Sequence, residues 1–345
     1  MSKTSRRKLH AIDLFCGIGG TTLGLRRAGF NVLAGVENNA DASRIYSLNH
    51  PQVEIFGDIT TINTLSMKRK LGLRKGDLDL LIGCPPCQGF SSLTTMNGHW
   101  EVEDERNDLV LSFCRFIKDF APRSIMLENV PGMVNDARFL AFLDLLKQMK
   151  YETAWSIVNA ESYGVPQRRK RLILIASKHG NIAPPMPKKR SRKTVFQAIG
   201  KLAKAGSSGD MIHDLPEKRS EKVKRLISAI PKDGGSRCDL PARHQLECHK
   251  RTSGFNDVYG RMAWDDVAPT ITTGCFNPSK GRFLHPEANR CITMREAALL
   301  QGFPVSYALP ADVGKTALAT MIGNAFPPEV VRTCSIAIKR HLESN

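Results

Sequence analysis

Residues 82 to 91 read IGCPPCQGFS, two cysteines bracketing two prolines at the end of an apolar run. That spacing suits a redox pair, half of a metal site, or one nucleophile with a bystander. A redox C-x-x-C opens a helix near the start of a thioredoxin-like unit, whereas this one follows the fourth of six strand-like runs. A zinc site needs about four ligands. The other rich cluster, Cys238, His244, Cys248 and His249, is irregularly spaced, so no metal is expected. Cys84 reads as a small apolar filler at the end of the strand. Cys87 lies beyond the prolines, which stiffen the turn and aim its sulfur outward; it is the candidate nucleophile. A thiolate becomes useful beside an acid or a cation. Glu128 and Asn129, in LENVPG, end the fifth apolar run, and Arg169 and Arg171, in VPQRRKRLILIA, stand just ahead of the sixth. A parallel sheet would bring thiol, carboxyl and guanidinium to one pocket. The bland alternative is a structural ion pair between Glu128 and the arginines.

A second group of residues suits a ligand. DLFCGIGGTTLGL, residues 13 to 25, reads as strand, glycine loop and helix, with Gly17, Gly19 and Gly20 allowing a tight turn and close backbone approach. Glu37 ends the second apolar run, where a carboxylate can accept from both hydroxyls of a ribose. Asp58 ends the third, placed to receive an adenine amino group while Ile59 packs on the ring. A nicotinamide dehydrogenase would share the glycines and the first acid, but the second acid is less expected there and no hydride-transfer site is apparent. An adenosyl ligand without pyrophosphate fits better, and S-adenosylmethionine is the candidate.

The elements that must position these residues are strands at 10–15, 31–37, 53–58, 78–83, 124–129 and 171–176. Amphipathic stretches lie between them at Thr21–Ala28, Ala40–Asn49, Asp108–Phe120 and Arg138–Met149. Alternation of this length predicts an α/β fold with a mostly parallel, doubly wound sheet, whose ligands sit at the carboxyl ends of its strands. From 178 to 290 the pattern breaks into Pro, Gly, Ser and Lys clusters, with one helix expected at Glu217–Ala229, which reads as a smaller, irregular domain. Helical pattern returns at 293–301 and 329–342. The expected division is therefore 1–177, 178–290, and 291–345 packing back on the first domain.

The formal charge is +17, and between Lys178 and Met294 there are 22 Lys and Arg against 11 Asp and Glu. PKKRSRK, residues 187 to 193, is the densest run. An excess of this size, concentrated in the irregular segment, suggests a polyanionic partner. No apolar stretch approaches the ~18 residues of a membrane span, and the basic start lacks the apolar centre of a signal peptide. Nine cysteines scattered along the chain do not suggest a disulfide framework. A soluble intracellular protein is expected.

Eight segments in this order, DLFCGIGG, GVEN, GDI, PPCQGFS, LENVPG, QRRKRLILIA, REAALLQGFP and IGNAFPP, resemble the DNA (cytosine-5)-methyltransferases. The resemblance implies a doubly wound, S-adenosylmethionine-dependent methyltransferase sheet with a target-recognition domain over the basic segment. It implies that Phe15, Gly17, Gly19, Glu37, Asp58, Ile59 and Asn324 bind S-adenosylmethionine. By the same resemblance, Cys87 attacks carbon 6 of a cytosine flipped out of double-stranded DNA, Glu128 engages ring nitrogen 3 and the exocyclic amine, Arg171 holds the carbonyl oxygen, and Arg169 contacts a phosphate. Pro86, Ser91 and Asn129 line the substrate pocket, Thr270 touches the DNA, and residues 92–108 form a lid. The compact chain resembles a prokaryotic modification enzyme, a cytoplasmic monomer (nucleoid-associated if bacterial) that a restriction endonuclease could accompany. Two rivals are a transfer-RNA methyltransferase of the same family, whose usual PPCQPFT differs from PPCQGFS here, and a DNA-binding regulator with a dead site, which the filled catalytic positions do not favour.

Overall fold

Seven segments pair into one mixed sheet: β1 (His10–Leu14), β2 (Asn31–Val36), β3 (Glu54–Phe56), β4 (Leu80–Gly83), β5 (Ser124–Asn129), β6 (Glu152–Asn159) and β7 (Lys170–Ser177). Their order is β3-β2-β1-β4-β5-β7-β6. The computed structural model of the chain describes residues 7–85, 109–187, 192–241 and 256–344, without the side chains of 110, 111 and 138. Pro86, Cys87, Ser91, the polar stretch 92–108, residues 188–191 of the basic run, His244, Cys248 and His249 lie outside the described residues.

Strands β4 and β5 are buried along their whole length, which is why they read as unbroken apolar runs rather than alternating ones. From β1 the chain steps outward to β2 and β3, then crosses to β4 and β5, so β1 and β4 flank the point where the winding reverses. Open α/β sheets bind ligands at such a crevice. All pairs from β3 through β5 are parallel, with Leu14 opposite Val36 and Gly83, Val36 opposite Phe56, and Gly83 opposite Leu127. The residues that follow these positions therefore emerge side by side.

Two features differ from the sequence expectation. Strand β6 has no counterpart in the apolar pattern, because its ETAWSIVN is an edge strand with Trp155 and Ile157 each 44% exposed, which dilutes the signal. Strand β7 lies between β5 and β6 and runs antiparallel to both. The arginines ahead of it are thus at an amino end that faces the carboxyl end of β5, not at a carboxyl end of their own.

Helices Gly20–Arg27, Ala40–Asn49, Thr64–Lys70, Leu109–Phe120, Ala137–Gln148 and Pro328–Ser344 belong to the unit that holds the sheet. Leu109–Phe120 buries Phe113, Phe116, Ile117 and Phe120 completely, a 3–4 spacing that turns one face to the core. Asn39 and Asn63 cap the second and third helices by accepting from Ala42 N and from Leu65 and Ser66 N.

The chain folds into two compact units that do not follow the expected breaks at 177/178 and 290/291. Residues 160–169 and 189–325 form one unit, and 1–159, 170–188 and 326–345 form the other. Of the two C-terminal helices expected on the first domain, Pro328–Ser344 is there, whereas Met294–Gln301 clusters with the second unit. Among its described residues the second unit is sparse in regular structure, with helices Val195–Ile199, Glu221–Ala229, Met294–Gln301 and Lys315–Asn324. The fully buried Arg261 donates to the carbonyls of Ile227, Ile230, His285 and Ala288 and to Asn289. A guanidinium fork takes the place of the ladder that this irregular backbone lacks.

Candidate active site

The glycine loop follows β1 in a run of left-handed backbone: Phe15 at φ 60°, Gly17 at 53° and Gly19 at 92°. For Phe15 this is an unfavourable conformation, by of order 1–3 kcal/mol, and it sits where the ligand is expected. A Cβ on Gly17 would meet nothing within 4 Å. Its backbone angle therefore calls for glycine, and the space above it is open. Gly19 N–H closes the turn onto Cys16 O at 2.9 Å. The buried His50 holds Gly19 from behind, donating from Nε2 to Gly19 O at 3.1 Å and accepting from Arg26 at Nδ1. Burial lowers its pKa to about 4, so the imidazole stays neutral in that role.

Glu37 leaves β2 beside this loop. Its Oε2 accepts from Gly17 N–H at 3.0 Å and its Oε1 from Asn39 N–H at 2.8 Å, joining the carboxylate to the turn. Asp58 is exposed after β3, and its Oδ1 accepts from Thr60 N–H and Thr60 Oγ1–H, both at 2.8 Å. These two hydrogen bonds hold its carboxyl below the usual range. Ile59 is buried, and Arg115 pins its carbonyl while reaching Ile62 O at 3.2 Å. Six of the seven residues expected at the cofactor thus lie on the loops after three adjacent strands of one unit.

At β4 and β5 a second corner forms. Glu128 is 8% exposed and meets Arg171, with Nε to Oε1 at 2.8 Å. The antiparallel register puts Glu128 opposite Ile173 and Asn129 opposite Leu172. Asn129 donates from Nδ2 to Pro85 O at 3.0 Å, and its Oδ1 accepts from Val130 N–H. Pro85, the neighbour of Pro86 in sequence, is thereby tied to the end of β5. Cys84 points toward Thr21 Oγ1 at 3.9 Å. Burial, then the Glu128 and Asp13 carboxylates, push its thiol well above the usual range, which leaves it a poor nucleophile.

Arg169, Thr270 and Asn324 belong to the second unit. Arg169, expected on a phosphate, is 4% exposed and donates to the carbonyls of Ile271 at 3.1 Å and Gly323 at 3.0 Å. Thr270 donates to Arg168 O at 2.6 Å, and the exposed Asn324 ends helix Lys315–Asn324.

The sequence reading missed the supports behind these residues: His50, Arg115, and the buried trio in which Tyr46 OH lies 2.8 Å from Thr22 Oγ1, which donates to Asp13 Oδ2 at 2.7 Å. Only Asp13 had a signal, a carboxylate inside the apolar strand that opens the glycine motif. Among the described residues no group of three or more His, Cys, Asp or Glu could hold a metal, and no helix is long and apolar enough to cross a membrane.

The model of the C-5 cytosine-specific DNA methylase family matches residues 9–340. The chain is 38% identical to the Type II methylase M.HgiDII of Herpetosiphon aurantiacus over 96% of this chain and 95% of that one. It is 32% identical to the Type II methyltransferase M1.HphI of Haemophilus parahaemolyticus over 95% and 86%. A protein described as a DNA modification methyltransferase encoded within an E. coli prophage superposes with a TM-score of 0.71 at 27% identity, covering 97% of this chain and all of that one.

Proposed function

Since the chain belongs to the C-5 cytosine-specific DNA methylase family and is a DNA (cytosine-5)-methyltransferase, we propose that its chemistry runs through Cys87, Glu128 and Arg171, with S-adenosylmethionine bound over the glycine loop. The observation that carries this reading is the 2.8 Å Glu128–Arg171 pair, whose carboxylate lies beside Cys84 at the end of β4. It holds a carboxyl and a guanidinium together where the strand ends converge, beside the loop at β1.

Cytosine carbon 5 is a poor nucleophile because the ring resists losing conjugation. Addition of the Cys87 thiolate to carbon 6 turns the ring into an enamine whose carbon 5 can attack an electrophile. Glu128 engages nitrogen 3 and the exocyclic amine, and Arg171 the carbonyl oxygen, so charge pushed into the ring is stabilised where it develops. Loss of the carbon 5 proton and expulsion of Cys87 then restore the aromatic ring. The family resemblance assigns Pro86 and Ser91 to the substrate pocket, and Asn129 holds the carbonyl of Pro85, two residues ahead of Cys87 in sequence.

When bound, S-adenosylmethionine supplies the methyl group. The chain offers it the open space over Gly17, the Phe15 and Ile59 side chains, and the Glu37 and Asp58 carboxylates as acceptors; the family resemblance adds Asn324. We assign DNA contact to the basic segment 178–290 and to Thr270. Flipping the base costs a few kcal/mol, which binding to phosphates can offset. The assignment extends to a cytoplasmic monomer whose activity does not physically require the restriction endonuclease that could accompany it.

Duplex DNA carrying 5-fluorocytosine should trap the thiol adduct, and digestion should recover a crosslinked peptide containing position 87. A crosslink elsewhere overturns the mechanism. Cys87→Ala should bind DNA and cofactor yet transfer no tritiated methyl group. Label appearing in transfer RNA and not in duplex DNA would overturn the substrate assignment.

A further inference from the structure

We propose that Arg169 is a positioning residue rather than a phosphate ligand: with Gln167 and Gln301 it clamps the end of helix Lys315–Asn324 to the segment around Ile271, and so sets where Asn324 and Thr270 stand. The proposal rests on the assignment of Asn324 to the cofactor made above.

The three side chains are almost completely buried, Gln167 and Gln301 at 0% and Arg169 at 4%. They form one continuous bridge within the second unit. Ile271 is gripped at both backbone groups: its N–H donates to Gln167 Oε1 at 2.9 Å, and its carbonyl accepts from Arg169 Nη1 at 3.1 Å. Gln167 Nε2 donates onward to Leu300 O at 3.2 Å and to Gln301 Oε1. Gln301 Nε2 reaches the carbonyls of Ile322, at 3.0 Å, and Ala325. Arg169 Nη2 takes the carbonyl between them in sequence, Gly323 O, at 3.0 Å.

These carbonyls lie at the carboxyl end of the helix, where intrahelical donors run out and the backbone dipoles leave partial negative charge. A buried cation there satisfies both needs. Turning the guanidinium outward to a phosphate would strand two buried carbonyls. The fit is close as well as polar: a Cβ on Gly323 would stand 2.5 Å from Thr272 C and from Thr273 N. Thr270 and Asn324 are neighbours in sequence of the two carbonyls that Arg169 holds, each one residue away. A shift at the clamp is delivered directly to both.

The test uses the full-length enzyme with Arg169→Met, which removes both donors, Arg169→Lys, which keeps the charge but can reach one carbonyl at most, and Asn324→Ala. Hydrogen exchange reads the clamp itself: Arg169→Met should speed exchange in peptides covering 270–273 and 322–325, with Lys intermediate. Unchanged exchange overturns the clamp whatever Asn324 does. Titration with S-adenosylhomocysteine reads its consequence. Arg169→Met should weaken binding roughly tenfold and should add little in an Asn324→Ala background. Additive effects of the two substitutions would overturn action through Asn324. If Asn324→Ala alone leaves affinity unchanged, the assignment of Asn324 has failed, and hydrogen exchange still decides the clamp. The salt dependence of duplex binding separates the rival. If the Arg169 guanidinium neutralises a phosphate, Arg169→Met lowers the magnitude of the log–log slope by about one, whereas the clamp leaves the slope as it was.

Discussion

Of the two cysteines three residues apart, Cys84 is ruled out of nucleophilic work by its surroundings. Its thiol is held protonated by burial beside Glu128 and Asp13, in keeping with the proposal that the nucleophile is Cys87. Asp13 itself is a fully buried carboxyl beneath the glycine motif, an unfavourable place for a charge. Its Oδ1 has no hydrogen-bond partner among the described residues, and burial, only partly offset by Thr22, raises its pKa from 3.8 to about 7. The sign of its effect follows from that direction. Below pH ~4 the carboxyl is protonated folded or unfolded and imposes no penalty. As pH rises toward 7 the unfolded chain ionises freely and the folded one resists, so stability is lost across that window. A shift of this size corresponds to roughly 4 kcal/mol. Asp13→Asn should flatten the fall in Tm between pH 4 and 7, and an unchanged slope would mean that Asp13 is ionised in the native protein. The slope is the readout because the buried amide shifts stability equally at every pH.

At the scale of elements, the first helix is held against the last. A Cβ on Gly24 would stand 2.5 Å from Pro328 O and 2.6 Å from Val331 Cβ, so helices Gly20–Arg27 and Pro328–Ser344 approach to backbone contact. Alanine is the better helix former by up to ~1 kcal/mol, which on propensity alone would stabilise Gly24→Ala. Overpacking a tight interface costs ~1–3 kcal/mol, and here one neighbour is a backbone carbonyl that cannot step aside. Gly24→Ala should therefore lower Tm by several degrees and weaken S-adenosylhomocysteine binding, because this helix opens from the glycine loop. An unchanged or higher Tm would show that the helices can separate freely. The antiparallel insertion of β7 is the other decisive element. It turns an arginine at the start of one strand toward the glutamate at the end of another.

For the whole molecule, the relevant quantity is charge. The excess of positive over negative side chains between 178 and 294 falls on a segment whose described residues hold little regular structure. If these side chains meet phosphates, duplex affinity should fall by a factor of about 1,000 or more between 50 and 200 mM salt, with a log–log slope of about −5 or steeper. A shallow slope would mean that this charge faces only solvent. The family match runs from residue 9 to residue 340, so the irregular region and its charge belong to the enzyme rather than to an appended tail.

By itself the sequence determined the chemistry and most of the sheet. Glycine loop, acids and the diproline turn are local signals, each a strand end read within a dozen residues, and buried parallel strands announce themselves as apolar runs. Tertiary structure decided what depends on partners far along the chain. Strand β6 is half exposed and found only through its pairing with β7. Arg171 meets Glu128 across 43 positions because β7 runs backwards. Arg169 looks like its neighbour in sequence yet turns its guanidinium to carbonyls 102 and 154 residues away. Side-chain type tells what a group can do; which atoms it can reach is set by packing, and packing is not local.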